Sequence, residues 1–330
     1  MRALVFTSAD PRVPPEWRLD VPVPTPADNE ILVSVRSVGL NRADLQRRAA
    51  FYGEQASGLH IAGLEMAGEV LDVGPGVIRH KVGDRVMAAV GSACADCVTV
   101  HECMACPVPQ GYSWNEAAAT YVCFSTAYDA LARHAAMQRG ESVLIQGASS
   151  GVGMAAVQLA RHLEAGHVAG TSRSAEKLTQ LIPLGLAQGW TGAADEADIG
   201  APAGNARGFD VVLDLVGSAV ADRSLDALAL KGRWVSVGRI SQEPALIDLG
   251  KLAHKGAVLI GLASRMRSVQ EHADVIDDFS KNLLPPLEKR LIHPVLDRVF
   301  SMEDAAAAFT YILPGAHYGK VVIGWASTPI

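Results

Sequence analysis

The spacing of apolar positions changes character about a third of the way along the chain. Ile31 to Val38 alternates apolar and polar side chains, the pattern of a half-buried strand. Gly63 to Val86 is β-rich and punctuated by glycine, with tight turns at Gly74-Pro75-Gly76 and Gly83-Asp84. Residues 1–27 hold six of the 17 prolines (Pro11, Pro14, Pro15, Pro22, Pro24 and Pro26), which disfavours helix and predicts extended edge structure. A short helix is expected near Arg42 to Ala49. These segments predict a compact β-barrel. From about residue 122, helical and β-like segments alternate, as in parallel βαβ units. The candidate strands are Val143–Gln146, Val168–Thr171, a short one near Trp190, Val211–Leu215, Trp234–Val237 and Val258–Gly261. They are apolar enough to suit a sheet covered on both faces. After Arg265 the pattern is helical, then β-like again at Val295–Phe300 and Lys320–Ile323, a tail expected to rejoin the barrel. The reading is an α/β protein with a discontinuous barrel domain, residues 1–122 and 266–330. A doubly wound parallel sheet, residues 123–265, is inserted into it.

Candidate chemistry begins at the first strand of that sheet. Ser142 to Ala160, SVLIQGASSGVGMAAVQLA, runs from an apolar strand through small residues into an Ala-rich helix. That layout seats a dinucleotide pyrophosphate on a helix N-terminus. Against G-x-G-x-x-G, Ala148 and Ser150 replace the first two glycines and Gly153 keeps the last, with Gly151 beside it. A tight turn without ligand is the competing reading of these residues alone. An NAD site places an acid about 20 residues later, on the ribose hydroxyls. Here the segment reads Ala169-Gly170-Thr171-Ser172-Arg173-Ser174, with Lys177 beyond and the first acid, Glu176, inside the next helix. Ser172, Arg173 and Lys177 suit the 2′-phosphate of NADPH, which a carboxylate would repel. A solvated helix start is the plainer alternative for the two cations.

Composition narrows the classes. The 330 residues are 49% hydrophobic and 19% charged, enough for a globular core in two domains, and the net charge is −6. There is no long basic run, which argues against a nucleic-acid binder. Arg42, Arg47 and Arg48 read as a solvated helix face. No apolar run reaches bilayer length, and MRALVFTSADP lacks a signal-peptide core, so a cytoplasmic protein without a membrane partner is expected. All five cysteines, Cys94, Cys97, Cys103, Cys106 and Cys123, crowd one short stretch, unlike an extracellular disulfide framework. The first four have the spacing of a four-thiolate zinc site. They also suit small buried hydrophobes on strands.

Several segments together resemble a known family. They are Val38-Gly39-Leu40-Asn41-Arg42-Ala43-Asp44-Leu45, Gly63-Leu64-Glu65-Met66-Ala67-Gly68, Val82-Gly83-Asp84-Arg85-Val86, the turn above, Asp214-Leu215-Val216-Gly217, Gly232-Arg233-Trp234-Val235 and Leu296-Asp297-Arg298-Val299-Phe300. The chain is similar to the medium-chain dehydrogenase/reductase superfamily, and within it to zeta-crystallin-like quinone oxidoreductases, the tumour-suppressor-inducible branch above all. The resemblance implies a GroES-like catalytic barrel, a Rossmann domain, NADPH, and a homodimer joined at an edge of the nucleotide-domain sheet. It also implies which residues act. Zinc-dependent relatives carry Cys at the place of Asn41 and His at the place of Leu64. An amide and a Leu are not zinc ligands, which argues against a catalytic zinc. Asn41 is then expected beside the nicotinamide, donating a hydrogen bond to the substrate oxygen, and Tyr52 is expected to donate to a reduced quinone. Further cofactor contacts carried over are Thr126, Ser149, Ser150, Gly151, Val152, Val216, Gly217, Val237, Gly238, Ala263, Arg265 and Lys320. Ser150 is expected to reach the pyrophosphate through its hydroxyl. The expected activity is NADPH-dependent quinone reduction without zinc. Reduction of an enone or enoyl thioester, with Arg42, Arg47 or Arg48 receiving the carrier, is the alternative; a non-catalytic NADPH-binding protein is a third.

Overall fold

In a computed structural model the chain forms two compact units, Met1–Val122 with Ser268–Ile330, and Cys123–Arg267. The structure describes residues 1–51, 59–191, 199, 202, 207–238, 244–262 and 264–325; for 47–51 and 265 it describes the backbone alone.

The first unit opens with β1 (Ala3–Val5) and β2 (Glu16–Arg18), a short antiparallel pair consistent with the proline-rich start. Then come β3 (Glu30–Leu40), α1 (Arg42–Phe51), β4 (Glu65–Val73), β5 (Arg85–Ala89), β6 (Cys97–His101), β7 (Ala105–Pro107) and α2 (Trp114–Ala118). The chain passes into the second unit within α3 (Tyr121–Tyr128). Its elements are β8 (Ser142–Gln146), α4 (Gly151–His162), β9 (His167–Ser172), α5 (Ala175–Leu181), β10 (Gln188–Thr191), β11 (Phe209–Asp214), α6 (Ala221–Ala227), β12 (Leu228–Ser236), α7 (Leu249–Lys255) and β13 (Val258–Gly261). The return adds α8 (Val269–Asn282), α9 (Leu284–Glu288), β14 (Leu296–Phe300), α10 (Ala305–Ile312) and β15 (Lys320–Gly324).

In the first unit the order is β14-β15-β3-β4-β5-β7, with β6 also on β3. The tail closes this sheet: Val321 to Gly324 pairs antiparallel with Leu40 to Ser37. The long β3 serves three neighbours because it bends, with register shifts against β4 at Leu32/Val33 and Val35/Ser37. Ile31, Val33, Val35 and Val38 point into a core shared with Leu4, Met66, Val86 and Phe309.

The alternation in β3 predicts one wet face, and the structure corrects this. Ser34 and Ser37 are buried as well. A buried hydroxyl needs a partner. Ser37 has two, donating toward Asn115 Oδ1 (2.8 Å) in α2 and the Ile323 carbonyl (3.2 Å) in β15. A helix therefore covers what the period-2 pattern assigns to solvent.

The second unit is a six-stranded parallel sheet in the order β10-β9-β8-β11-β12-β13. β8 is buried throughout, and Leu144, Phe209, Val212, Leu225 and Trp234 form a core on one face. The order reverses between β8 and β11, the place where open parallel sheets bind ligands at their carboxyl ends.

Candidate active site

At the carboxyl end of β8 the chain turns at Gly147, whose φ of +78° suits glycine. The end of β9 holds this turn from below. The Thr171 carbonyl accepts from Ala148 N (2.9 Å), and its hydroxyl accepts from Gly147 N (3.2 Å) and donates to Gln146 Oε1 (2.7 Å). Gln146 is fully buried, and its amide reaches Ser224 Oγ in α6 at 3.4 Å. Gln146 and Thr171 are functional supports that a motif search passes over; the only signal was a pair of polar residues at the ends of two apolar strands.

Helix α4 begins directly on this turn. Gly153 lets it approach: a Cβ there would lie 2.5 Å from the Gly147 oxygen and 2.6 Å from that of Ala148. Ser150 is the N-cap. Its hydroxyl accepts from Gly153 N (3.1 Å) and donates to the Gly147 carbonyl (2.9 Å). The expected hydroxyl contact to a pyrophosphate is therefore corrected, because that proton is committed within the turn. Among the described residues no acceptor meets the N–H of Gly151 or Val152. Two orphan donors at the positive end of a twelve-residue helix fit an anionic diphosphate.

Beside them, Ser149 Oγ lies 2.9 Å from Ser172 Oγ, and Ser172 Oγ accepts from Ser174 N (3.2 Å). Arg173 is exposed and Lys177 half-buried; Ser174 caps α5 by accepting from Lys177 N (3.3 Å). Across the reversal point, buried Asp214 ends β11. Its Oδ1 accepts from Val216 N (2.8 Å) and Gly217 N (2.9 Å), and its Oδ2 from Trp234 Nε1 (3.3 Å). Burial pushes its carboxyl above the ordinary range, against the pull of these bonds. The Asp214 carbonyl accepts from Val237 N (2.9 Å) and Gly238 N (3.3 Å). One residue thus shapes both late loops, another support the sequence reading left unassigned. The turn, Ser172–Lys177, Val216–Gly217 and Val237–Gly238 thus share one edge of the sheet. Thr126 is half-buried on α3.

In the first unit, Asn41 and Lys320 meet although 279 residues apart. Lys320 begins β15 and Glu65 begins β4; they are 4% and 0% exposed. The Lys320 ammonium donates to the Leu40 carbonyl (2.9 Å), Asn41 Oδ1 (2.8 Å) and Glu65 Oε2 (2.7 Å). Glu65 Oε1 accepts from Val122 N (2.7 Å). Asn41 Nδ2 donates to the Gly39 carbonyl (3.2 Å) and Glu65 Oε2 (3.1 Å). Two expectations change. Lys320 turns its ammonium inward to three protein acceptors, and the Asn41 amide protons both have protein acceptors, so neither is held out toward a substrate oxygen. Glu65 was legible only as the first of three acids in β4, with Glu69 and Asp72 after it. Arg42 donates to the Leu313 carbonyl (2.8 Å), fastening α1 to the end of α10. Tyr52 and Ala263 lie outside the described residues, as do the side chains of Arg47, Arg48 and Arg265.

This corner does not fit a catalytic zinc. Where thiolate and imidazole would be needed, it offers an amide and Leu64, with an ammonium 2.7 Å from the Glu65 carboxylate. Nor do the cysteines converge: among the described residues no three His, Cys, Asp or Glu are grouped to hold a metal. Cys94 packs in the barrel core, Cys97 faces Ser34 across the β3–β6 pair, and Cys106 Sγ lies 3.7 Å from Ser280 Oγ. Burial pushes the Cys97 thiol up to about 11 and Cys106 up to about 12.

Comparison with known proteins places this architecture. Residues 27–134 match the family profile of the alcohol dehydrogenase GroES-like domain, and residues 151–281 that of zinc-binding dehydrogenases. Quinone oxidoreductase-like protein 2 of Bos taurus is 30% identical over 301 residues, covering 89% of this chain and 85% of the relative. The chain belongs to the medium-chain dehydrogenase/reductase superfamily. Members of the superfamily with solved structures include Escherichia coli quinone oxidoreductase complexed with NADPH (26% identity, TM-score 0.85, 98% of this chain and 100% of that one). The CurK enoyl reductase is 26% identical, with a TM-score of 0.83 and 98% of each chain covered. Polyketide synthases match too, such as GfsB of Streptomyces halstedii, 30% identical over 90% of this chain. The chain spans only 5% to 18% of the length of these synthases. Among the described residues no helix is long and apolar enough to cross a membrane.

Proposed function

We propose that this protein is an NADPH-dependent reductase that delivers hydride to a quinone without a catalytic zinc. The observation that carries the reading is the end of β8. Two orphan amides at the start of α4 stand beside a strand end that carries Ser172 and Arg173 and no acid. When bound, the dihydronicotinamide supplies the hydride. The chain's part is to bind and orient it. Gly151 and Val152 amides hold the diphosphate, Arg173 and Lys177 the 2′-phosphate, and Asp214 fixes the loops carrying Val216, Gly217, Val237 and Gly238. Without a Lewis acid the acceptor must already be electron-poor, which a quinone is. The quinone oxidoreductase relatives support this choice. The enoyl reductase neighbour and the synthase relatives favour a second reading, reduction of an enone or enoyl thioester by the same machinery. We take the working form to be a homodimer.

Steady-state rates with NADPH against 1,4-quinones, small enones and enoyl thioesters separate the two. The highest kcat/KM is expected with quinones; a clear preference for an enoyl thioester would move the protein to the second reading. Arg173→Ala is expected to reduce the preference for NADPH over NADH by about tenfold, the worth of one charge-assisted bond. Equal efficiency with NADH in the unaltered protein would remove the 2′-phosphate assignment.

A further inference from the structure

We infer that Thr171, Gln146 and Ser224 are positioning residues: they form one directed hydrogen-bond relay that ties the turn after β8 to α6, and so sets the Gly151 and Val152 amides for a dinucleotide diphosphate. The inference rests on the reductase reading above and concerns how its turn is held. All of these residues lie in the second unit.

The direction of the relay follows from what each group can do. The Gly147 N–H can only donate, so the Thr171 hydroxyl accepts there (3.2 Å). That hydroxyl has one proton to give, and Gln146 Oε1 takes it at 2.7 Å. With its oxygen turned to Thr171, the Gln146 carboxamide presents its NH2 to Ser224 Oγ (3.4 Å). Turning the amide over would leave the hydroxyl proton facing an NH2. Gln146 and Ser224 are both 0% exposed, so a polar group left over there has no water to turn to.

Gln146 also ends β8, and its backbone carbonyl accepts from Leu215 N (3.3 Å), just past β11. It therefore reaches β9 through Thr171, α6 through Ser224 and the chain after β11 through its backbone. The relay spans the point where the strand order reverses. Apolar side chains could fill the same space, but they could not hold the Gly147 N–H. Gly147 opens the turn, and its carbonyl accepts from the Ser150 hydroxyl that caps α4. A Gly147 that loses its hold moves the cap, and the orphan amides move with it. The diphosphate is the part of the cofactor that feels the relay.

Thr171→Val keeps the side-chain shape and suits a strand, so the fold is expected to survive. Affinity is read without turnover, from the fluorescence of bound NADPH or NADH. Thr171→Val is expected to weaken NADPH binding about tenfold, and Thr171→Ser, which keeps the hydroxyl, to stay within about threefold of the parent. The loss is expected to be equal for NADH, which carries the same diphosphate. Gln146→Met removes the middle of the relay and is expected to cost about threefold. Because the groups act as one chain, Thr171→Val/Gln146→Met is expected to bind as Thr171→Val does, not at the product of the two losses. Parent-like affinity in Thr171→Val, a Thr171→Ser variant as weak as Thr171→Val, a loss confined to NADPH, or multiplied losses in the double variant would each overturn the inference. An unaltered protein that binds neither nucleotide would overturn the reductase reading itself, a distinguishable result.

Discussion

The cysteines and Asn41 show where single residues mislead a sequence reading. Cys94, Cys97, Cys103 and Cys106 carry a metal-like spacing, yet Cys97 lies opposite Ser34 of β3 and Cys106 opposite Met87 of β5, and spacing along a chain says nothing about register between strands. Buried thiols hold their protons. At pH 8 a thiol with a pKa near 12 is about one part in ten thousand thiolate, and the thiolate is the reactive form. Cys94, Cys97, Cys106 and Cys123 are buried, and Cys103 is half-buried. A thiol-specific reagent at pH 8 is thus expected to modify Cys103 first and the others only after denaturant is added. Cys103→Ser should abolish the early reaction, and rapid modification of several thiols in the native protein would contradict the packing described. Asn41 was expected to offer its amide N–H to a substrate oxygen, and in the structure that amide donates to the Gly39 carbonyl and Glu65 Oε2. Its partners Glu65 and Lys320 lie 24 and 279 residues away, and no local pattern reports such distances.

At the scale of elements, legibility followed the environment of each strand. The central strands of the parallel sheet, β8 and β11, were readable because burial on both faces leaves an apolar run bounded by turns, whereas β10 and β13 are largely exposed. β3 was located but its exposure was misjudged, since Ser34 and Ser37 look solvent-facing until α2 and β15 are known to cover them. The turn into α4 was legible as strand, small residues and helix. The support from Thr171 and Gln146 was not, being made across strands. The tightness of that turn makes a prediction. A Cβ at Gly153 would press into two backbone carbonyls of the turn, groups that cannot rotate aside. Gly153→Ala is expected to destabilise the fold by about 1–3 kcal/mol, as overpacking does, and to weaken NADPH binding by displacing the first turn of α4. Thermal unfolding with and without NADPH checks both parts; an unchanged Tm and unchanged stabilisation by NADPH would show that the turn has slack the distances deny.

At the scale of the molecule, the chain's apolar period changes twice, once on entering the parallel sheet and once after leaving it, and the structure divides into two compact units, Met1–Val122 with Ser268–Ile330 and Cys123–Arg267. The proposed homodimer would form at an open edge of the parallel sheet. β13 is hydrogen-bonded to β12 on one side, and no strand pairs with its other side among the described residues. An open edge of this kind is normally guarded by charge, proline or a covering loop. Val258-Leu259-Ile260-Gly261 carries no charge and no proline, and Val258 and Leu259 are 51% and 39% exposed. Exposed Leu246 and Leu249 lie just before it in the chain. An unguarded apolar edge is stable in solution when a second copy pairs with it. Two-fold symmetry then brings the same strand from each copy together, antiparallel, so one patch serves both sides. Light scattering on the purified protein is expected to give twice the 34.8 kDa chain mass. Val258→Lys/Leu259→Glu adds charges to both sides of the pairing, of which the desolvation alone opposes association, and should yield a folded monomer. A double variant that remains dimeric would move the interface away from β13, and an unaltered protein that stays monomeric at micromolar concentration would leave this edge guarded by something other than its own copy.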